Sequence, residues 1–179
     1  MEPKLLKEIK SFCDTRGIFY ESFKESKFRE EYSISERFVQ DNHSVSVRNT
    51  IRGLHYQWDE PMGKLIRVCY GKILDVAVDI RAGSKTFGKV YYFEIGEDNL
   101  NQVYVPPGFA HGFSCLSETA HVLYKCTSEY NGSGESGINP LDSALGVDWG
   151  VDLAAAIISE KDRGAQSLED YEKEAKFKI

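Results

Sequence analysis

The chain is short of basic charge. It has 22 lysines and arginines against 28 aspartates and glutamates, a net charge of −6. A general nucleic-acid binder needs a basic face, so that class is excluded, although a local basic pocket for a small anion is not. Cysteine pairing is lacking too. Cys13, Cys69, Cys115 and Cys126 show no Cys-x-x-Cys spacing, and they read as reduced residues of a cytoplasmic protein. No apolar run approaches the roughly 20 residues that span a membrane, and the opening Met-Glu-Pro-Lys-Leu-Leu-Lys-Glu has no apolar segment of a secretory leader. Internal repeats, low-complexity stretches and linkers are missing as well. One histidine is also missing. In Arg52-Gly53-Leu54-His55-Tyr56-Gln57 a metal-binding strand would read His-x-His, but Gln57 stands two places after His55. An imidazole without metal duty is free to act as a base.

What is present reads as one domain over residues 1–179, a length that gives a sizeable core. Between residues 10 and 130 most segments read as short strands, which favours an all-β sandwich or barrel. Lys64–Tyr70 and Lys72–Ile80 flank Gly71 and give a hairpin signal. In the second run Ile73, Asp75, Ala77 and Asp79 alternate with Leu74, Val76, Val78 and Ile80. Lys89–Ile95 and Gln102–Val105 suggest another strand pair across Gly96-Glu97-Asp98-Asn99. His121–Cys126 is a further strand. Helix is expected at Ser22–Tyr32 and at Ser167–Lys176, where Ser167 and Asp170 form a weak capping pattern.

Polar residues gather around glycine turns. Arg16 and Glu21 lie near Gly17; Gln40 and Asn42 alternate on one strand face; Arg52, His55 and Lys64 follow; His111 sits in Pro106-Pro107-Gly108-Phe109-Ala110-His111-Gly112-Phe113. Arginine suits bidentate phosphate binding, and lysine suits a compact charge beside an enolate. Taken singly, each has a plain reading. A lone histidine is usually a hydrogen-bonded structural residue, Tyr124 would usually pack in the core, and Asp162 would usually lie on the surface.

The segments RGLHYQ, GKLIRVCYGKILDVAVDIR, SKTFGK, VPPGFAHGF, LYKCT and SEKD together resemble the dTDP-4-dehydrorhamnose 3,5-epimerase family, from about Phe12 to Arg163. The resemblance implies an all-β cupin jelly-roll barrel with short peripheral helices. It implies a homodimer and no cofactor or metal. The substrate would be a nucleoside-diphosphate 4-keto-6-deoxy sugar, on the way to cell-surface polysaccharide. By the same resemblance His55 matches the general base, Asp162 its carboxylate partner, Tyr124 the general acid and Lys64 the cation at the sugar carbonyl. Arg16, Glu21, Gln40, Asn42, Arg52, His111, Glu135 and Lys161 match substrate contacts, Glu135 on the nucleotide side.

These residue types suit the chemistry. A C4 ketone acidifies the hydrogens on C3 and C5, and loss of one gives an enolate that a cation and hydrogen-bond donors stabilise. Inversion needs proton return on the other face, so acid and base must be different residues. The residues alone leave three alternatives open: a non-catalytic sugar-nucleotide-binding cupin, a 4-keto sugar-nucleotide ketoisomerase and a metal-dependent cupin. They also leave open the nucleotide base, hexose or heptose, and whether C3, C5 or both invert.

Overall fold

The computed structural model describes residues 1–7 and 10–179. The chain begins with β1 (Lys4–Leu6), the hairpin β2 (Ser11–Asp14) and β3 (Gly17–Tyr20), and helix α1 (Glu25–Tyr32). Then come β4 (Gln40–Val47), β5 (Ile51–Gln57), β6 (Lys64–Tyr70), β7 (Lys72–Asp79), β8 (Arg81–Ala82) and β9 (Val90–Gly96). β10 (Gln102–Val105), β11 (Phe109–Cys115), β12 (Thr119–Cys126) and β13 (Glu135–Gly137) complete the body. The last elements are α2 (Glu160–Arg163), α3 (Leu168–Lys173) and β14 (Phe177–Lys178).

Two antiparallel five-stranded sheets carry the fold, in the orders β1-β10-β6-β12-β4 and β13-β5-β11-β7-β9. They face each other across a core of Ile66, Val68, Val103, Val105, Ala120 and Val122 from the first sheet. Ile73, Ala77, Ile95, Phe109 and Phe113 meet them from the second. The expected all-β jelly-roll architecture therefore holds. So does the alternation in β7: Ile73 and Ala77 point between the sheets, while Leu74, Val76, Val78 and Ile80 point outward. That outer face is covered too. Trp149, Ile158, Leu168, Tyr171 and Ala175 from the C-terminal segment bury it, and Trp149 Nε1 donates to the Pro140 carbonyl at 2.8 Å. This second layer positions the site, because it clamps the segment that carries α2.

The hairpin expected at Gly71 does not form. β6 lies in the first sheet and β7 in the second, so Gly71 turns the chain from one sheet into the other. Its φ is +75°, and a Cβ there would lie 2.1 Å from the Thr119 carbonyl oxygen, so glycine is required. β9 and β10 are likewise split between the sheets. Glycine marks a reversal in both cases, but local turn chemistry does not say which sheet receives the next strand. The helices are shorter than expected. The Ser22 carbonyl accepts from Gln102 Nε2 at 2.7 Å, which holds it outside the helix, and α1 starts at Glu25. α3 is capped by Ser167, whose Oγ accepts from Asp170 N at 3.0 Å. It stops at Lys173, because Phe177 N turns back to donate to the Tyr171 hydroxyl and β14 pairs with β8.

Candidate active site

One end of the space between the sheets stays open as a cavity of about 560 Å³. The first sheet contributes Lys64 from β6, Tyr124 from β12, and Ser44 and Ser46 from β4. The second contributes Arg52 and His55 from β5 and His111 from β11. α2 adds Lys161 and Asp162. His55 and Tyr124 thus reach the same space from opposite sheets.

Local sequence explains the placement of His55 and Asp162. Ser159 caps α2, its Oγ accepting from Asp162 N at 3.1 Å, and this turns the Asp162 carboxylate inward. Asp162 is only 5% exposed. Its Oδ1 lies 2.7 Å from His55 Nε2, and its Oδ2 accepts from Gly53 N at 3.3 Å. Gly53 is fixed by close approach: its φ is +116°, and a Cβ there would sit 2.6 Å from Gly112 Cα. Burial alone would raise the Asp162 carboxyl. The hydrogen bond with His55, joined by the Gly53 N–H and Ser159, outweighs it and holds the group below the usual carboxylate value. Asp162 therefore stays ionised. With Nε2 turned to Asp162, Nδ1 is the imidazole nitrogen that accepts a proton.

Directly opposite in the strand register stands a second pair. His111 Nε2 lies 2.8 Å from Asp75 Oδ2, which comes from the inward face of β7. Across the cavity, burial lowers the Lys64 ammonium, partly offset by Cys126, Glu135 and Asp75. Burial raises the Tyr124 hydroxyl, so it is protonated at neutral pH. A partly dehydrated ammonium and a protonated phenol are the donors that a developing oxyanion and a carbanion need.

At the mouth, Glu135 Oε2 accepts from Lys161 Nζ at 2.6 Å and from the Tyr130 hydroxyl at 3.1 Å. Burial raises Glu135, but Lys161 and the nearby His55 bring it below its usual value. Gln40 and Asn42 share a face as expected, Gln40 Nε2 donating to Asn42 Oδ1 at 3.1 Å. Asn42 lines a different pocket, of about 200 Å³, with Asp41, His43, Arg67, Leu123 and Lys125, and neither Gln40 nor Asn42 lines the main cavity. Arg52 lines the main cavity, its Nε donating to Ser46 Oγ at 3.0 Å.

Arg16 and Glu21 do not reach this cavity from their own chain. Arg16 sits in the two-residue turn of the β2–β3 hairpin, where its guanidinium is paired with Asp14. Glu21 lines a separate small crevice with Phe28 and Gln102. The N-terminal arm carries both away from the site. Asp75, the partner of His111, was not among the expected site residues. Its signal was an acid inside the apolar run Ile73–Ile80, on the face that points between the sheets. Ser44 and Ser46 gave no distinguishing signal.

Residues 2–170 match the model of the family described as dTDP-4-dehydrorhamnose 3,5-epimerase. The chain belongs to that family. The epimerase of Methanothermobacter thermautotrophicus is 43% identical over 171 residues, covering 95% of this chain and 92% of that protein. The epimerase of Salmonella typhimurium is 44% identical over 166 residues, covering 92% and 90%. Among solved structures, the dTDP-6-deoxy-D-glucose-3,5-epimerase of Legionella pneumophila in complex with dTDP-4-keto-L-rhamnose superposes with a TM-score of 0.92. It is 38% identical and covers 99% of both chains. A 3′-monoepimerase from Streptomyces bikiniensis in complex with dTDP-quinovose gives a TM-score of 0.85. It is 30% identical, covering 100% of this chain and 87% of the other. The protein is an isomerase of this epimerase family with the cupin jelly-roll fold. Among the described residues no helix is long and apolar enough to cross a membrane.

Proposed function

We propose that the enzyme inverts C3 and C5 of a dTDP-4-keto-6-deoxyhexose through enolates, without a cofactor. The observation that carries this reading is the opposed arrangement. His55, tied to Asp162, enters from one sheet, and Tyr124 and Lys64 enter from the other. His55 Nδ1 takes the proton beside the ketone, and Asp162 stabilises the imidazolium that results. Lys64 donates to the C4 oxygen as charge develops there. Tyr124 returns a proton on the far face. Arg52, His111, Gln40 and Asn42 hold the sugar and diphosphate, and Glu135 with Lys161 closes the nucleotide side. The likeness to a 3′-monoepimerase supports a narrower second reading, inversion at C3 alone.

The enzyme works as a cytoplasmic homodimer in this reading, making a deoxysugar for cell-surface polysaccharide. All four cysteines are free thiols, two of them exposed, which suits a reducing compartment. The β2–β3 hairpin exposes Phe12, Ile18 and Phe19 by 53–71%. A second copy is the occupant that covers these side chains and brings Arg16 to a cavity. Light scattering at micromolar concentration should give twice the mass of the chain; a monomer would remove this role for Arg16.

Tyr124→Phe tests the acid assignment. In deuterated water with dTDP-4-keto-6-deoxyglucose, this variant should still exchange substrate hydrogens through His55. Net inversion should fall much further than exchange. An unchanged ratio of inversion to exchange would mean that another group delivers the proton.

A further inference from the structure

Outside the active site, three side chains with soft or borderline metal-ligand atoms converge on the outer face of the first sheet. They are His43 on β4, Cys69 on β6 and His121 on β12. One ligand atom from each lies within 4.8 Å of the others. His43 Nε2 and His121 Nδ1 are 3.1 Å apart, and Cys69 Sγ is 3.7 Å from the His121 carbonyl oxygen. Two features of the sheet build this cluster. His43 and His121 are diagonal neighbours across β4 and β12, since His43 pairs with Leu123 and His121 with Val45. Diagonal neighbours on one sheet face are near enough for long side chains to meet. Cys69 arrives by a register shift: His121 pairs with Tyr70 and Val122 with Val68, so Cys69 is the extra residue between them. Such a bulge re-aims a side chain, here toward His121. Tyr70 packs edge-on against the His121 ring at 5.6 Å and limits its rotation.

We propose that His43, Cys69 and His121 bind a divalent transition-metal ion, with zinc the best match. Two imidazoles and one thiolate are ligands that zinc accepts in tetrahedral geometry, with bond lengths of about 2.0–2.3 Å. The ligand atoms then stand roughly 3–4 Å apart, so the observed cluster closes onto an ion by small side-chain rotations on fixed strands. Three protein ligands leave a fourth position for water or an incoming ligand. Arg67, which lines one pocket with His43, places a positive charge that opposes binding, and the thiolate offsets it; imidazole binds a metal in its neutral form, so affinity falls as the pH is lowered. None of the three residues lines the catalytic cavity, although His43 borders an outer pocket that also touches Tyr124, so the proposed site is distinct from the catalytic one.

The test is cobalt titration of the full-length reduced protein, followed by displacement with zinc. Wild type should show a thiolate-to-cobalt charge-transfer band in the near ultraviolet together with tetrahedral visible bands, and zinc should abolish both. Cys69→Ser should lose the charge-transfer band, and His121→Asn and His43→Asn should weaken binding. Cys13→Ser, which removes the other exposed thiol, should leave the spectrum intact. Retained secondary structure in each variant separates loss of a ligand from loss of the fold. Absence of the band in wild type would overturn the proposal. So would a spectrum that survives in Cys69→Ser and His121→Asn but disappears in His55→Asn, which would place the ion in the catalytic cavity.

Discussion

Two histidine–carboxylate pairs face each other across adjacent strands, and they differ in how the carboxylate is supplied. Asp75 comes from β7, the strand next to β11, and is fully buried; its partner His111 has a side chain 9% exposed. Asp162 comes from a four-residue helix more than a hundred residues from His55 in sequence, and the His55 side chain is 29% exposed. A carboxylate set into the sheet fixes an imidazole as part of the wall. A carboxylate brought in by a capped turn supports an imidazole that stays open to the cavity. The difference supports the proposed reading, in which His55 transfers the proton and His111 orients the substrate.

The largest expected effect breaks the His55–Asp162 pair. His55→Ala should lower kcat/KM by about 10²–10⁴-fold with the fold retained, the range for loss of a general base. Wild-type turnover in a folded variant would refute the assignment. Next is the layer that clamps Asp162's segment. Trp149 is 1% exposed, and Trp149→Ala should cost about 3–5 kcal/mol in denaturant unfolding; a near-neutral result would mean the C-terminal segment is not part of the cooperative core.

A smaller effect separates the two carboxylates. Asp75→Asn leaves buried polar groups mismatched and should cost about 1–3 kcal/mol of stability. Asp162→Asn should act mainly on turnover. Equal stability losses in both would erase the distinction. The smallest effect is in pH dependence. Asp162 is held below its usual value of 3.8 in the folded state, so its ionisation stabilises the fold above that value, and the contribution is lost as pH falls through the lower folded value. Wild type and Asp162→Asn should therefore converge in stability in that acid range, as followed by urea unfolding at stepped pH.

Much of this was legible in the sequence. The alternation in Lys72–Ile80 gave both faces of β7, and the order of RGLHYQ, LYKCT and SEKD gave His55, Tyr124 and Asp162. Spacing alone would have left Asp162 on the surface, because burial there is created by Ser159 and by the fold of a distant segment. Sheet membership was not legible at Gly71 or after Gly96, since a reversal looks the same whether the chain pairs with itself or crosses between sheets. Arg16 and Glu21 matched a family pattern, but the N-terminal arm carries both away from the cavity, which spacing along the chain does not reveal. The His43–Cys69–His121 cluster was hidden for a different reason: it depends on a one-residue register shift.

The most direct measurement follows deuterium entering the bound sugar at C3 and C5 in a single turnover, in His55→Ala beside His111→Asn. The account predicts that His55→Ala loses exchange at every position the wild type exchanges, while His111→Asn retains exchange at a reduced rate. Exchange that persists in His55→Ala and vanishes in His111→Asn would contradict it, and would make the buried pair the seat of proton removal.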